Sequence, residues 1–95
     1  MEGSVAGYPL VPHTSPDRTP DFCKEYAVLT GQGGEPFAVV IEWFEPWEQD
    51  GDRPLYAVYP TAPPRGVRFM GGTHDFGEIR EEIRRIALEP GGPAA

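Results

Sequence analysis

Residues His74 to Leu88 read HDFGEIREEIRRIAL, and a single amphipathic helix accounts for them. Phe76, Ile79, Ile83 and Ile86 recur at spacings of three and four and so share one stripe, while Arg80, Glu81, Glu82, Arg84 and Arg85 are expected to face away. Asp75 is placed as the N-cap. Glu78, three residues on, has capping-box spacing, and its charge suits the positive end of the helix dipole. Gly77 in the first turn opposes the helix by about 1 kcal/mol relative to Ala. Pro90, Gly91 and Gly92 stop it. A helix with one apolar face needs a surface to cover, and the preceding sequence supplies strands.

Phe37 to Phe44 has the strongest strand pattern. Phe37, Val39, Ile41 and Trp43 alternate with Ala38, Val40, Glu42 and Phe44, so both faces of its first half are apolar, as in a central strand. Lys24 to Thr30 precedes it across a Gly31-Gln32-Gly33-Gly34 turn, giving a hairpin. Glu45 to Pro54 is a connection turning at Asp50-Gly51. Leu55 to Tyr59 forms a third strand bounded by Pro54 and Pro60, because proline cannot donate to a ladder. After the proline-rich loop Thr61 to Gly66, Val67 to Met70 is a short fourth strand, with Val67 and Phe69 in and Arg68 out. Gly71 and Gly72 release the chain into the helix.

The expected fold is therefore α+β: a small, mostly antiparallel four-stranded sheet, ordered strand-strand-strand-strand-helix, with one C-terminal amphipathic helix packed on one face. Residues 1–20, with Pro9, Pro12, Pro16 and Pro20, are expected to be a disordered, proline-rich N-terminal tail; 21–89 form a single α+β domain; 90–95 are a flexible C-terminal tail. Tyr26 to Thr30 and Val67 to Met70 are then candidate free edges for homodimer pairing.

A chain of 95 residues buries only about 60 to 65% of its unfolded surface, so the core is thin. The net charge of -7 disfavours direct nucleic-acid binding, which depends on Lys and Arg displacing counterions, and suits a basic partner better. Seven of the eight basic residues are arginines, which with abundant Ala, Gly and Pro also fits a GC-rich coding bias. Cys23 is the lone cysteine, so no disulfide framework and no Cys/His zinc spacing exists. No apolar stretch approaches the roughly 20 residues of a membrane span, and no signal-peptide pattern opens the chain. The expected compartment is the cytoplasm.

Catalytic chemistry finds little to work with. Ser4 and Ser15 lie in the expected tail, and nothing local activates Cys23 through His13 or His74. His74, Asp75 and Glu78 form the one acid/base-like cluster, but capping explains Asp75 and Glu78 without chemistry. The Gly31 to Gly34 turn leads into a strand, so it lacks the helix N-terminus of a phosphate cradle. The chain is expected to be no enzyme, with no catalytic, cofactor-binding or metal residues.

The segment carrying Glu35, Glu42, Trp43, Phe44, Glu45, Trp47, Glu48, Asp50 and Asp52 stands out, because it joins aromatic rings to carboxylates with no basic residue before Arg53. Trp43, Glu45, Trp47, Glu48, Asp50 and Asp52 are the expected partner-binding residues, the rings as anchors and the charges to steer encounter. Such a surface fits an antitoxin-like or immunity-like module that masks a basic protein. It also fits a small acidic inhibitor that imitates nucleic acid against a nucleic-acid enzyme, or a non-catalytic homo-oligomeric assembly protein.

Phe37 to Leu88 resembles the N-terminal domain of HicB-type antitoxins and their single-domain relatives. The likeness rests on the strand Phe37-Ala38-Val39-Val40-Ile41-Glu42, the acidic turn Asp50-Gly51, the strand Tyr56-Ala57-Val58-Tyr59-Pro60, the Pro63 to Gly66 turn and the capped helix Asp75 to Leu88. The resemblance implies a partial ribonuclease-H-like fold without ribonuclease activity, and a small basic ribonuclease toxin as partner. The loop between Ile41 and Leu55 is longer than that family's, the strand at Tyr26 to Thr30 is extra, and Gly77 replaces an acidic residue. Nothing after Leu88 matches the DNA-binding segment many such antitoxins carry, which implies neutralisation without repression.

Overall fold

A computed structural model describes residues 3–13 and 23–95. The order is β1 (Ser4–Val5), β2 (Tyr8–Pro12), β3 (Cys23–Leu29), β4 (Pro36–Trp43), β5 (Leu55–Pro60), β6 (Arg68–Thr73) and α1 (Phe76–Leu88). The strands form one antiparallel sheet of six in sequential order, and α1 packs across β4 and β5. The α+β class and the C-terminal helix stand as read from the sequence; the sheet has six strands, not four.

The two added strands come from the expected N-terminal tail. Ala6 and Gly7, with φ of 53° and 87°, make a two-residue hairpin turn, the positive-φ geometry that matches strand twist. The turn pairs Val5 with Tyr8, and β2 then pairs with β3 through Leu10 to Val28 and Val11 to Ala27. Val5 and Leu10 are buried in the core, and Tyr8 meets Phe37 edge-to-face at 4.9 Å. Pro9 and Pro12 are tolerated because β2 has only the two-residue β1 outside it. Residues 1–2 and 14–20 of that expected tail, and 21–22 at the start of the expected domain, lie outside the described residues.

The strand β4 is central, pairing from Val28–Ala38 to Cys23–Trp43 with β3 and from Ala38–Pro60 to Trp43–Leu55 with β5. Its expected alternation holds from Ala38 onward. Phe37 departs: Leu29 pairs with Pro36 and Val28 with Ala38, so Phe37 is a bulged residue and joins the helix-side core. That core is Val28, Ala38, Val40 and Val58 of the sheet against Ile79, Ile83, Ile86 and Ala87 of α1, with Tyr56 edge-to-face on Phe76 at 5.0 Å. The second face carries Cys23, Glu25, Ala27, Val39, Ile41, Trp43, Leu55, Ala57 and Tyr59, given by register.

The helix corrects two expectations. Asp75 is the N-cap, its Oδ1 accepting from Gly77 N at 2.8 Å, but the reciprocal bond of a capping box is absent: Thr73 Oγ1, not Glu78, accepts from Asp75 N at 3.1 Å. A Cβ on Gly77 would sit 2.9 Å from Asp75 Oδ1, so glycine here leaves room for the cap. Glu82, expected to face away, is buried at 6% exposure. It lies at the margin of the apolar stripe, where Arg68 crosses from β6 to pair with it and Arg85 pairs at 2.8 Å. Buried charge persists only when so compensated.

Strand β6 also departs. It pairs with β5 at Arg68–Val58 and Thr73–Tyr56, so Phe69, Met70, Gly71 and Gly72 together oppose Ala57 in a wide bulge. Arg68, paired with helix-side Val58, turns to the helix face and Val67 is exposed, against the expected pattern, while Phe69, at φ of 64°, packs against the core as expected. Neither expected edge is a plain ladder, since β3 lies inside the sheet between β2 and β4, and β6 is interrupted by its bulge. After the helix, Ala94 N donates to Ala87 O at 2.8 Å, folding the expected C-terminal tail back on α1.

Candidate interaction surface

The acidic connection follows from where β4 ends. Trp43 is the last residue of β4, and Pro46 cannot extend a ladder, so the chain passes through consecutive turns. Glu48 N donates to Glu45 O at 2.9 Å, Gly51 N to Glu48 O at 3.0 Å and Arg53 N to Asp50 O at 3.0 Å. With its backbone satisfied internally, this turn projects side chains into solvent.

The six expected partner-binding residues divide by environment. Trp47 is 74% exposed, and Glu48, Asp50 and Asp52 are exposed with it. Trp43 and Glu45 are half-buried and joined, Trp43 Nε1 donating to Glu45 Oε1 at 3.2 Å. Trp43 props the β6 bulge: a Cβ on Gly72 would lie 2.8 Å from Trp43 Cζ2, and Gly72 has φ of 82°, so both the close approach and the backbone demand glycine. Trp43 thus holds the surface in place, while Trp47 is its available ring.

Between the acidic turn and the bulge lies an open cleft of about 410 Å³, bordered by Glu45, Glu48, Asp50, Gly71, Gly72 and His74. His74 Nδ1 donates to Pro54 O at 3.1 Å, since a carbonyl can only accept, and this fixes the ring across the end of the turn. His74 borders this cleft, while Asp75 and Glu78 border another with Phe69 and Arg85. Met70 is 82% exposed and Phe44 42%; Phe44 belongs to the acidic and aromatic segment marked in the sequence, whereas Met70 was not singled out there. The signal for Met70 was the Gly71-Gly72 pair inside a strand, a common mark of a bulge.

The other titratable groups serve the fold. Burial, then Glu25, pushes the Cys23 thiol above its ordinary value, the opposite of what an activated nucleophile needs. Tyr59 is raised by burial and by Glu25 despite Arg65, and Tyr56 by burial and by its hydrogen bond and proximity to Glu42. The Arg68 guanidinium is held above its usual value by its hydrogen bonds to Glu89 and Glu82 against the opposing effect of burial. Among the described residues no group of three His, Cys, Asp or Glu side chains is arranged to hold a metal, and no helix is long and apolar enough to cross a membrane. No protein-family model matches the chain, and neither curated proteins nor solved structures gave a match.

Proposed function

We propose that this protein is an acidic protein-binding module, antitoxin-like or immunity-like, that masks a basic protein partner by docking it on the turn from Phe44 to Arg53 and the adjoining β6 bulge. The observation that carries the reading is Trp47: a tryptophan left 74% exposed, flanked by Glu45, Glu48, Asp50 and Asp52 on an internally hydrogen-bonded turn. A large ring beside steering charges is the type of anchor that concentrates binding energy. The carboxylates steer a basic partner and reject acidic ones, including nucleic acid. Phe44, in the turn, and Met70, in the β6 bulge, are exposed apolar side chains that could add to this surface.

On the HicB-like resemblance, the partner is a small basic ribonuclease toxin, and the protein acts by covering it in the cytoplasm without catalysis. The reading is tested by capture from lysate at low salt with the unaltered protein and with Glu48→Lys plus Asp50→Lys. A small basic protein released by salt and lost in the charge-reversed variant supports it. Equal capture by both excludes this surface, and a nucleic-acid enzyme displaced by added DNA would instead make the protein a phosphate mimic.

A further inference from the structure

At the opposite end of β4 from the acidic turn lies a cavity of about 440 Å³, between the Thr61–Pro64 loop, the start of β4 and the turn that follows α1. Its wall includes Pro36, Pro60, Pro63, Pro64 and Pro90. Proline rings have fixed φ and no N–H, so this wall is stiff and offers ring surface without donors. Phe37 and Ile86 from the core complete the apolar lining. The volume falls within the range of about 300 to 1,000 Å³ typical of small-molecule sites.

The polar groups at the cavity decide the charge of its occupant. Thr61 Oγ1 already donates to Pro36 O at 3.2 Å. Arg68 is occupied on both sides, donating through Nη1 to Glu82 and through Nη2 to Glu89 Oε1 at 2.6 Å and Oε2 at 3.0 Å. An incoming carboxylate would have to displace one of these carboxylates. Glu35 also borders the cavity, exposed and with no ion pair among the described residues, so the lining holds two carboxylates, Glu35 and Glu89, to the single guanidinium of Arg68. The lining carries surplus negative charge beside rigid apolar walls.

We propose that this cavity binds a small aromatic amine, its ring held between the prolines and its ammonium directed to Glu35 and Glu89. The proposal is independent of the acidic turn. It is tested by amide-detected NMR titration of the full chain with naphthylmethylamine, with naphthoate as the anion of similar size. The amine should shift the Phe37, Ala62, Ile86 and Gly91 amides saturably and bind about tenfold tighter than the carboxylate, the scale of discrimination one surplus charge gives at a partly screened site. Glu35→Gln should erase most of that preference, and Ala62→Trp, which fills the space, should abolish the shifts while the remaining spectrum stays dispersed. Absence of saturable shifts at these amides, equal binding of both probes, or undiminished binding by Ala62→Trp would overturn the proposal.

Discussion

Replacing Glu82 by Ala should destabilise the protein through the charge it leaves behind. The Glu82 side chain is 8% exposed and sits between Arg68, at 26%, and Arg85, at 70%. Orphaning a fully buried partner costs about 3 to 5 kcal/mol. Arg68 is partly hydrated and keeps Glu89, so the expected loss is nearer 2 kcal/mol. With a denaturant slope of about 1 kcal/mol/M, the urea midpoint should fall by about 2 M. Arg85→Ala provides the contrast: its partner Glu82 keeps Arg68, and an exposed pair contributes less than about 0.5 kcal/mol. Combining Glu82→Leu with Arg68→Met should recover most of the loss, because apolar groups of similar volume replace buried ion pairs at little cost. If Glu82→Ala shifts the urea midpoint no further than Arg85→Ala does, the burial and pairing assigned to Glu82 are wrong.

Three further outcomes follow from the fold. Leu10→Ala should cost about 2 to 4 kcal/mol in urea unfolding, as for a core leucine, whereas a leucine in a disordered tail would cost nothing measurable. Gly72→Ala should cost about 1 to 3 kcal/mol and alter Trp43 emission in a Trp47→Phe background, since the new Cβ meets the indole at a positive φ; unchanged emission and stability would remove the close approach. Folding should weaken in the alkaline range, above the ordinary thiol and phenol values of about 8.5 and 10. Cys23, Tyr56 and Tyr59 hold their protons more tightly when folded, so their contribution is complete below the unfolded values and is lost as pH rises through the folded ones. A thermal midpoint that stays flat or rises over that interval would contradict the assignment.

The helix and strands β3, β4 and β5 were legible because each carries a periodic signal that local chemistry does not dispute. Ile79, Ile83 and Ile86 at helical spacing are buried in the core, and β4 reads as a central strand from Ala38 to Val40. The losses occur where a single residue breaks the period. Phe37 is a bulge that no alternation rule announces, and Phe69 adopts a positive φ that an aromatic residue rarely takes. The N-terminal strands were hidden by Pro9 and Pro12, which lower strand propensity everywhere except next to an edge. Their turn uses Ala6-Gly7, without the asparagine that usually marks such hairpins.

Glu82 shows a related limit. Charge at the margin of a helical stripe reads as solvent-facing until Arg68 arrives from another strand, and only tertiary structure brings the two together. For the candidate surface, the sequence names the six expected residues but not which of them the fold exposes. Trp43 is turned against Gly72 of the β6 bulge, while Trp47 and the bulge residue Met70 are exposed.

The most direct measurement for the central claim is the association rate of the captured basic partner as a function of ionic strength, for the unaltered protein, for Glu48→Lys with Asp50→Lys, and for Trp47→Ala. Steering by the acidic turn predicts an association rate that falls as salt rises, a slower and less salt-dependent rate in the charge-reversed variant, and a dissociation rate raised by Trp47→Ala. Rates that none of these changes affect would place the partner elsewhere on the molecule.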